Sequence, residues 1–321
     1  MKKRYKFYRF VWICLFLVFG YLEIYSFWGF KKMDNQKTDS AFTSNPAPVK
    51  KVFFEKLDTV AQGDVLVVKA APLTESVVIN GETSPCFLIG DTMLFLVPID
   101  IETDTGKMFI KATIYGEWYM LPVYVKPGGN QEVRNMGVRI ADSAKIYYAR
   151  NYKDSIRSLS GDALFTDFAY SPPLKSIYVT CPLGRYRKYI SRCDGRGDTL
   201  VWYRHSGVDM RAAYGTRVFA EYDGVVRSYT DLEDGGGNSL ILDHGLGICT
   251  KYLHTSKSLV AVGDTVKSGQ PIALSGNSGG VPAHLHVTTM IGSSVISEEA
   301  LKKAFAEIEI VQKNQTQRSS L

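Results

Sequence analysis

All five histidines of this 321-residue chain, His205, His244, His254, His284 and His286, fall in its last third. Imidazole is both the commonest metal ligand and a proton carrier near neutral pH, so this clustering points to one site of metal or acid–base chemistry. Two spacings sharpen the expectation. In His205-Ser-Gly-Val-Asp209 the intervening Gly207 and Val208 disfavour a helix, and an extended segment turns both end side chains to one side. In His284-Leu285-His286 the strand period of two again puts both imidazoles on one face, with Leu285 facing the opposite layer. Two imidazoles and one carboxylate make a zinc shell with a fourth position left for water, as catalytic zinc sites require. Zinc lowers the pKa of such a water from 15.7 to about 7. Zn2+ is therefore the expected cofactor, and histidines outside the shell are candidates for proton transfer. The same spacings also fit a solvated strand face, and spacing alone does not say which histidines bind metal.

Side chains so far apart in sequence meet only if a sheet carries them. A glycine-dense β pattern runs from about Ile177 to Thr289, after a boundary at Pro172-Pro173. Beyond it Ser297 is placed to cap a helix in which Leu301, Phe305 and Ile308 share one face, and the polar end begins at Lys313. Upstream, between Val52 and Lys126, short β-rich runs (Val65–Val68, Val77–Ile79, Met93–Val97, Met108–Ile114, Tyr119–Val125) alternate with turn signals such as Asn80-Gly81 and Gly90-Asp91. They predict a small all-β sandwich without a histidine. Residues 131–170 are mixed and charged, and read as a connector with a helix near Ala141–Ser158. The fold class is mainly β.

Composition narrows the partners. A net charge of +6 is modest for this length, and part of it sits in an N-terminal cluster rather than a stripe, so nucleic acid is not an expected partner. Lys2, Lys3, Arg4, Lys6 and Arg9 precede an apolar run from Phe10 to Phe30, long enough to span a bilayer. The positive-inside bias places the short N-terminus in the cytoplasm and the bulk of the chain outside. No small-x-small site follows the apolar core, which favours an uncleaved anchor over a signal peptide. The expected location is thus the inner or plasma membrane, single-pass, with the C-terminal bulk periplasmic or extracellular. Of the five cysteines, Cys14 lies in the span. Cys181 and Cys193 flank a short segment and read either as a disulfide in an oxidising compartment or as two free thiols.

The motifs taken together carry a family resemblance. His205-Ser-Gly-Val-Asp209, Gly224-Val-Val226, Gly237-Asn238, Asp243-His-Gly245, Tyr252-Leu-His254, Gly276-Asn-Ser-Gly279 and His284-Leu-His286 resemble, in order and spacing, the lysostaphin-type zinc metalloendopeptidases that cut peptide bonds of bacterial peptidoglycan. The resemblance assigns His205, Asp209 and His286 to zinc. It makes His254 and His284 the catalytic pair that polarises the attacking water and stabilises the oxyanion. It gives His244 and Asn238 structural roles and makes Gly276–Gly280 a wall of the cleft, or else a plain surface loop. It implies a barrel-sandwich hybrid sheet for the catalytic part, preceded by an accessory sandwich, and peptidoglycan peptides as substrate. Two positions depart from the family pattern: Val287-Thr288-Thr289, where an aromatic residue followed by Glu is common, and Cys249. The expected division is a cytoplasmic N-terminus (1–9), a transmembrane anchor (10–30), a linker (31–51), an accessory β-sandwich (52–128), a connector with a helix (129–176), a peptidase domain (177–296) and a C-terminal helix and tail (297–321). The alternative function is an inactive homologue that binds peptidoglycan or activates another hydrolase. A lipoyl-like carrier, suggested by Val262-Gly-Asp-Thr-Val266, would lack its lysine and leave the histidines unexplained.

Overall fold

Runs rich in β-branched and aromatic residues, closed by glycine turns, form strands almost throughout the computed structural model. It describes residues 59–70, 74–79, 81–90, 92–114, 117–129, 132–140, 164, 168–193, 197–232 and 236–319. The expected membrane span, its linker and the helix near Ala141–Ser158 lie outside these residues. Among the described residues no helix is long and apolar enough to cross a membrane.

The accessory part holds β1 (Thr59–Ala61), β2 (Val65–Ala70), β3 (Thr74–Ile79), β4 (Glu82–Thr83), β5 (Cys86–Ile89), β6 (Thr92–Pro98), β7 (Gly106–Ile114) and β8 (Glu117–Lys126). They make a five-stranded sheet, β1-β8-β7-β3-β4, and a three-stranded sheet, β2-β6-β5. Val77, Phe95, Val97, Ile110, Ala112, Val123 and Val125 form a shared core. Strand β6 departs from alternation because both its faces are covered: Leu94 and Leu96 pack instead with Tyr222, Ile248, Ile291, Leu301 and Phe305.

Next come β9 (Val133–Ile140), β10 (Val179–Cys181), β11 (Tyr186–Cys193), β12 (Gly197–Arg204), β13 (Val208–Met210), β14 (Arg217–Phe219), β15 (Gly224–Leu232) and β16 (Gly237–Gly245). They are followed by β17 (Ile248–Leu253), β18 (Thr255–Ser258), β19 (Thr265–Val266), β20 (Pro271–Ser275), β21 (Leu285–Ile291), β22 (Ser294–Ile296) and the helix α1 (Glu298–Ser319). The main sheet runs β10-β13-β21-β17-β16-β15-β19 with β22 on β21, and a smaller sheet runs β14-β20-β18. Between them lie Val218, Leu240, Leu242, Tyr252, Ile272, Leu285 and Val287. Strand β9 falls in the stretch read as a connector: it pairs parallel with β11, which pairs antiparallel with β12.

Helix α1 starts where Ser297 Oγ accepts the Ala300 amide at 3.0 Å, and Glu298 and Glu299 sit in its first turn, where carboxylates suit the helix dipole. Its apolar side, Leu301, Ala304, Phe305 and Ile308, covers β6. Arg204 ties the accessory loops to the end of β12. Its buried guanidinium donates to Gln62 Oε1 (2.7 Å), Ile101 O (2.5 Å), Gly128 O (2.8 Å) and Gly184 O (3.3 Å).

Candidate metal centre

Strand β21 lies between β13 and β17 in the main sheet, and its register decides what faces what. Asp209 on β13 is the cross-strand partner of His286, and Cys181 on β10 is the partner of Asp209. Leu285 and Val287 point into the core, so the period of two turns His284, His286 and Thr288 to the opposite face. His205 joins from the turn after β12, held by its amide on Arg185 O at 2.9 Å. That turn tolerates only glycine at 207. A Cβ there would lie 2.3 Å from Val287 O and 2.5 Å from His286 Nε2.

Three of the sequence-derived residues converge closely. His205 Nε2 lies 3.0 Å from His286 Nδ1 and 3.0 Å from Asp209 Oδ1, and His286 Nδ1 lies 2.8 Å from Asp209 Oδ1. All three residues are buried. His284 approaches from the rim, with Nε2 3.6 Å from the same carboxylate oxygen. The His254 and His284 ring centroids are 4.6 Å apart, and that of His254 is 6.0 Å from His286. His254 sits at φ 61°, an uncommon conformation for a residue with a Cβ.

The outer contacts set the tautomers. A carbonyl only accepts, so His205, His254 and His284 each donate Nδ1–H, to Pro182 O (3.0 Å), Ser278 O (3.0 Å) and Pro282 O (2.7 Å). Each then keeps Nε2 for the site. His286 is reversed: its Nε2 pairs with Thr288 Oγ1 at 2.9 Å and its Nδ1 faces Asp209. With both imidazoles neutral and unprotonated at these nitrogens, His205 Nε2, Asp209 Oδ1 and His286 Nδ1 would turn three lone pairs on one another at 2.8–3.0 Å, an arrangement that calls for a positive charge among them. Tetrahedral zinc with ligands at 2.0–2.2 Å separates them by about 3.4 Å. A shift of a few tenths of an ångström would admit it, so the donor set fits zinc.

The ionisation of the cluster follows the same logic. Burial alone would raise the Asp209 carboxyl, but hydrogen bonds from His205, His284 and His286 hold it well below the usual carboxylate range. Burial would lower His205 and His284, yet their bonds to Asp209 outweigh it and push both up. His254 is brought down to about 4 by burial and by the neighbouring His284 and His286. His286 is also at about 4, through burial that its bond to Asp209 only partly offsets.

Two contributors were not singled out as site residues in the sequence. Arg187 on β11 holds the other Asp209 oxygen, with Nη2 2.5 Å from Oδ2. Cys181 is a buried free thiol. Burial pushes it up, but hydrogen bonds with His205 and Arg187 bring it to about 7. Cys181, His205 and Asp209 offer a second, overlapping donor set within 4.8 Å. No local signal marks Arg187, because it reaches the site from another sheet. The 276–280 loop does more than cover surface: Ser278 O fixes His254, and its hydroxyl bonds Asn238 N (2.9 Å) and Thr255 O (2.9 Å). His244 is buried elsewhere, bonded to Asp223 O (2.7 Å) and Thr250 Oγ1 (2.9 Å).

Comparison with known proteins follows the same residues. Residues 203–297 match the family model Peptidase family M23. An uncharacterized metalloprotease of Haemophilus influenzae is 34% identical over 167 residues, 51% of this chain and 34% of that protein. The peptidoglycan DD-endopeptidase ShyA of Vibrio cholerae is 42% identical over 88 residues, 27% of this chain and 20% of that protein. The chain thus spans about a third or less of the length of these relatives. A Pseudomonas aeruginosa crystal structure described as a peptidase M23 superposes with a TM-score of 0.55 at 17% identity, over 78% of this chain and 98% of that one, which establishes the shared fold.

Proposed function

From a chain that carries a Peptidase family M23 domain at residues 203–297, we propose a zinc-dependent endopeptidase that hydrolyses peptide cross-links of bacterial peptidoglycan. The observation that carries this reading is the convergence of His205 Nε2, Asp209 Oδ1 and His286 Nδ1 within 3.0 Å of one another. Similarity to a peptidoglycan DD-endopeptidase, 42% over 88 residues, favours a cross-link between D-amino acids over a glycine bridge. The apolar run at 10–30 serves as a single-pass anchor in the inner or plasma membrane, with the catalytic part outside the cytoplasm.

His286 is preferred to Cys181 as the third ligand for a geometric reason. Asp209 lies between them in the sheet, with Oδ1 towards His286 and Oδ2 bound to Arg187. Arg187 therefore leaves one carboxylate oxygen for the ion. With a metal on Nδ1, His286 would carry its proton on Nε2 and donate it to Thr288 Oγ1, 2.9 Å away. Bound there, zinc would polarise the scissile carbonyl and lower the pKa of water towards neutrality. His254 and His284, each anchored through Nδ1–H on a carbonyl, offer Nε2 to take a proton from the attacking water and to bond the oxyanion. Burial of the cluster strengthens these interactions.

Digestion of purified sacculi tests the proposal. The zinc-loaded chain should release peptides cut at a D,D cross-link, and His284→Ala should keep its metal and release none. A metal-loaded chain that binds sacculi and cuts nothing would refute the endopeptidase and favour the inactive, hydrolase-activating alternative.

A further inference from the structure

The five-stranded accessory sheet has two faces of opposite character. Ile110, Ala112, Val123 and Val125 point into the core. The alternate positions of β7 and β8 carry Lys107, Phe109, Lys111, Trp118, Met120 and Tyr124 outward. Trp118 is 65% exposed and Tyr124 54%. The ladder makes these residues neighbours, with Lys107 opposite Tyr124, Lys111 opposite Met120 and Trp118 opposite Thr113. Lys107 Nζ lies 5.2 Å from the Phe109 ring and Lys111 Nζ 5.8 Å from the Trp118 ring. At the edge Lys126 shares this face. Strands β1, β3 and β4 add Thr59, Ala61, Ser76, Val78 and Thr83 at paired positions, and the exposed Glu75 lies in the bulge between Thr74 and Ser76. The paired positions of the outer face include three lysines, Lys107, Lys111 and Lys126.

Contiguous exposed apolar side chains mark an interaction surface. Indole and phenol rings beside lysines suit a lipid interface, where aromatic rings settle at headgroup level and lysines meet anionic headgroups. The chain also enters the sheet next to this face. Strand β1 begins at Thr59, directly opposite Tyr124.

We propose that this aromatic and basic face docks on the anionic surface of the membrane that holds residues 10–30. The inference rests on the anchor assigned above, and one experiment separates the two. The full chain is reconstituted into phosphatidylglycerol-containing vesicles with plain or brominated acyl chains. Subtracting the emission of Trp118→Phe isolates Trp118 from Trp12, Trp28 and Trp202. Brominated lipid should quench the Trp118 component at least twofold, and Lys107→Glu with Lys111→Glu should abolish that quenching while circular dichroism is unchanged. An unquenched Trp118 overturns the proposal, as does quenching indifferent to the charge reversal. Shielding of Trp118 by peptidoglycan fragments without lipid quenching also overturns it, assigning the face to cell wall. Extraction by alkaline carbonate, performed after the fluorescence reading, refutes the anchor alone.

Discussion

Without the Thr288 hydroxyl, His286 Nε2 loses its partner 2.9 Å away, and with it the contact that would favour a proton on Nε2 in the metal-bound state. Thr288→Val should therefore weaken zinc binding about 10–100-fold, the usual effect of losing such an outer contact, and Thr288→Ser should retain it. Competition with a chelator reads both affinities, and equal values for parent and Thr288→Val would contradict the role. His286→Ala should lose metal. His284→Ala should keep it while cleavage falls by about 10²–10⁴-fold, the contribution of a positioned proton carrier. At this scale the clustering of the histidines pointed to one site, and the family resemblance, not the spacing, named the five candidate residues. It left Arg187 unseen, because a salt bridge between strands of different sheets leaves no periodic trace, and Thr288 stood out only as a departure from the family pattern.

The turn between β12 and β13 is the element on which the site depends most. Gly207→Ala would drive a Cβ to 2.3 Å from Val287 O and part β13 from β21, costing about 1–3 kcal/mol as overpacking does. Thermal unfolding should show the loss, and zinc affinity should fall with it; a variant with parental affinity would show that the close approach is not required. Under the N-terminus of α1, Glu221 is fully buried with neither carboxylate oxygen hydrogen-bonded. Burial, and then the nearby Glu298, raise it well above its ordinary value. The folded state then holds a proton that the unfolded chain releases, so the contribution of this group to stability is largest in acid and falls as pH rises from the ordinary glutamate value towards the raised one. Glu221→Gln should be more stable than the parent at pH 8, with the difference shrinking towards pH 4, and a pH-independent difference would exclude this ionisation as the cause. The pattern of β-rich runs between turn signals marked β2, β3, β6, β7 and β8 in the sequence. It was silent on β9, which is recognisable as a strand only through its pairing with β11.

Among the described residues the accessory sheets and the M23 sheet are joined by shared cores and by polar contacts, among them Val295 N to Asp100 Oδ2, Ser297 N to Gly63 O and the clasp made by Arg204. Arg204, next to the proposed ligand His205, reaches acceptors at Gln62, Ile101 and Gly128. Arg204→Leu would leave buried carbonyls without donors at about 1–3 kcal/mol each. Unfolding should separate into two transitions as the accessory part releases before the catalytic part, whereas a single transition at the parental temperature would show that the clasp does not couple them. The sequence indicated the two β units and their order. It did not indicate the clasp, since an arginine at the end of a strand reads the same whether it meets water or three distant loops.

The ligand set itself is tested most directly by X-ray absorption at the zinc edge of the metal-loaded full chain. Coordination by His205, Asp209 and His286 requires two nitrogen and two oxygen scatterers at about 2.0–2.2 Å. A sulfur scatterer at about 2.3 Å that vanishes in Cys181→Ser would instead place the ion on Cys181, His205 and Asp209, and would contradict the account.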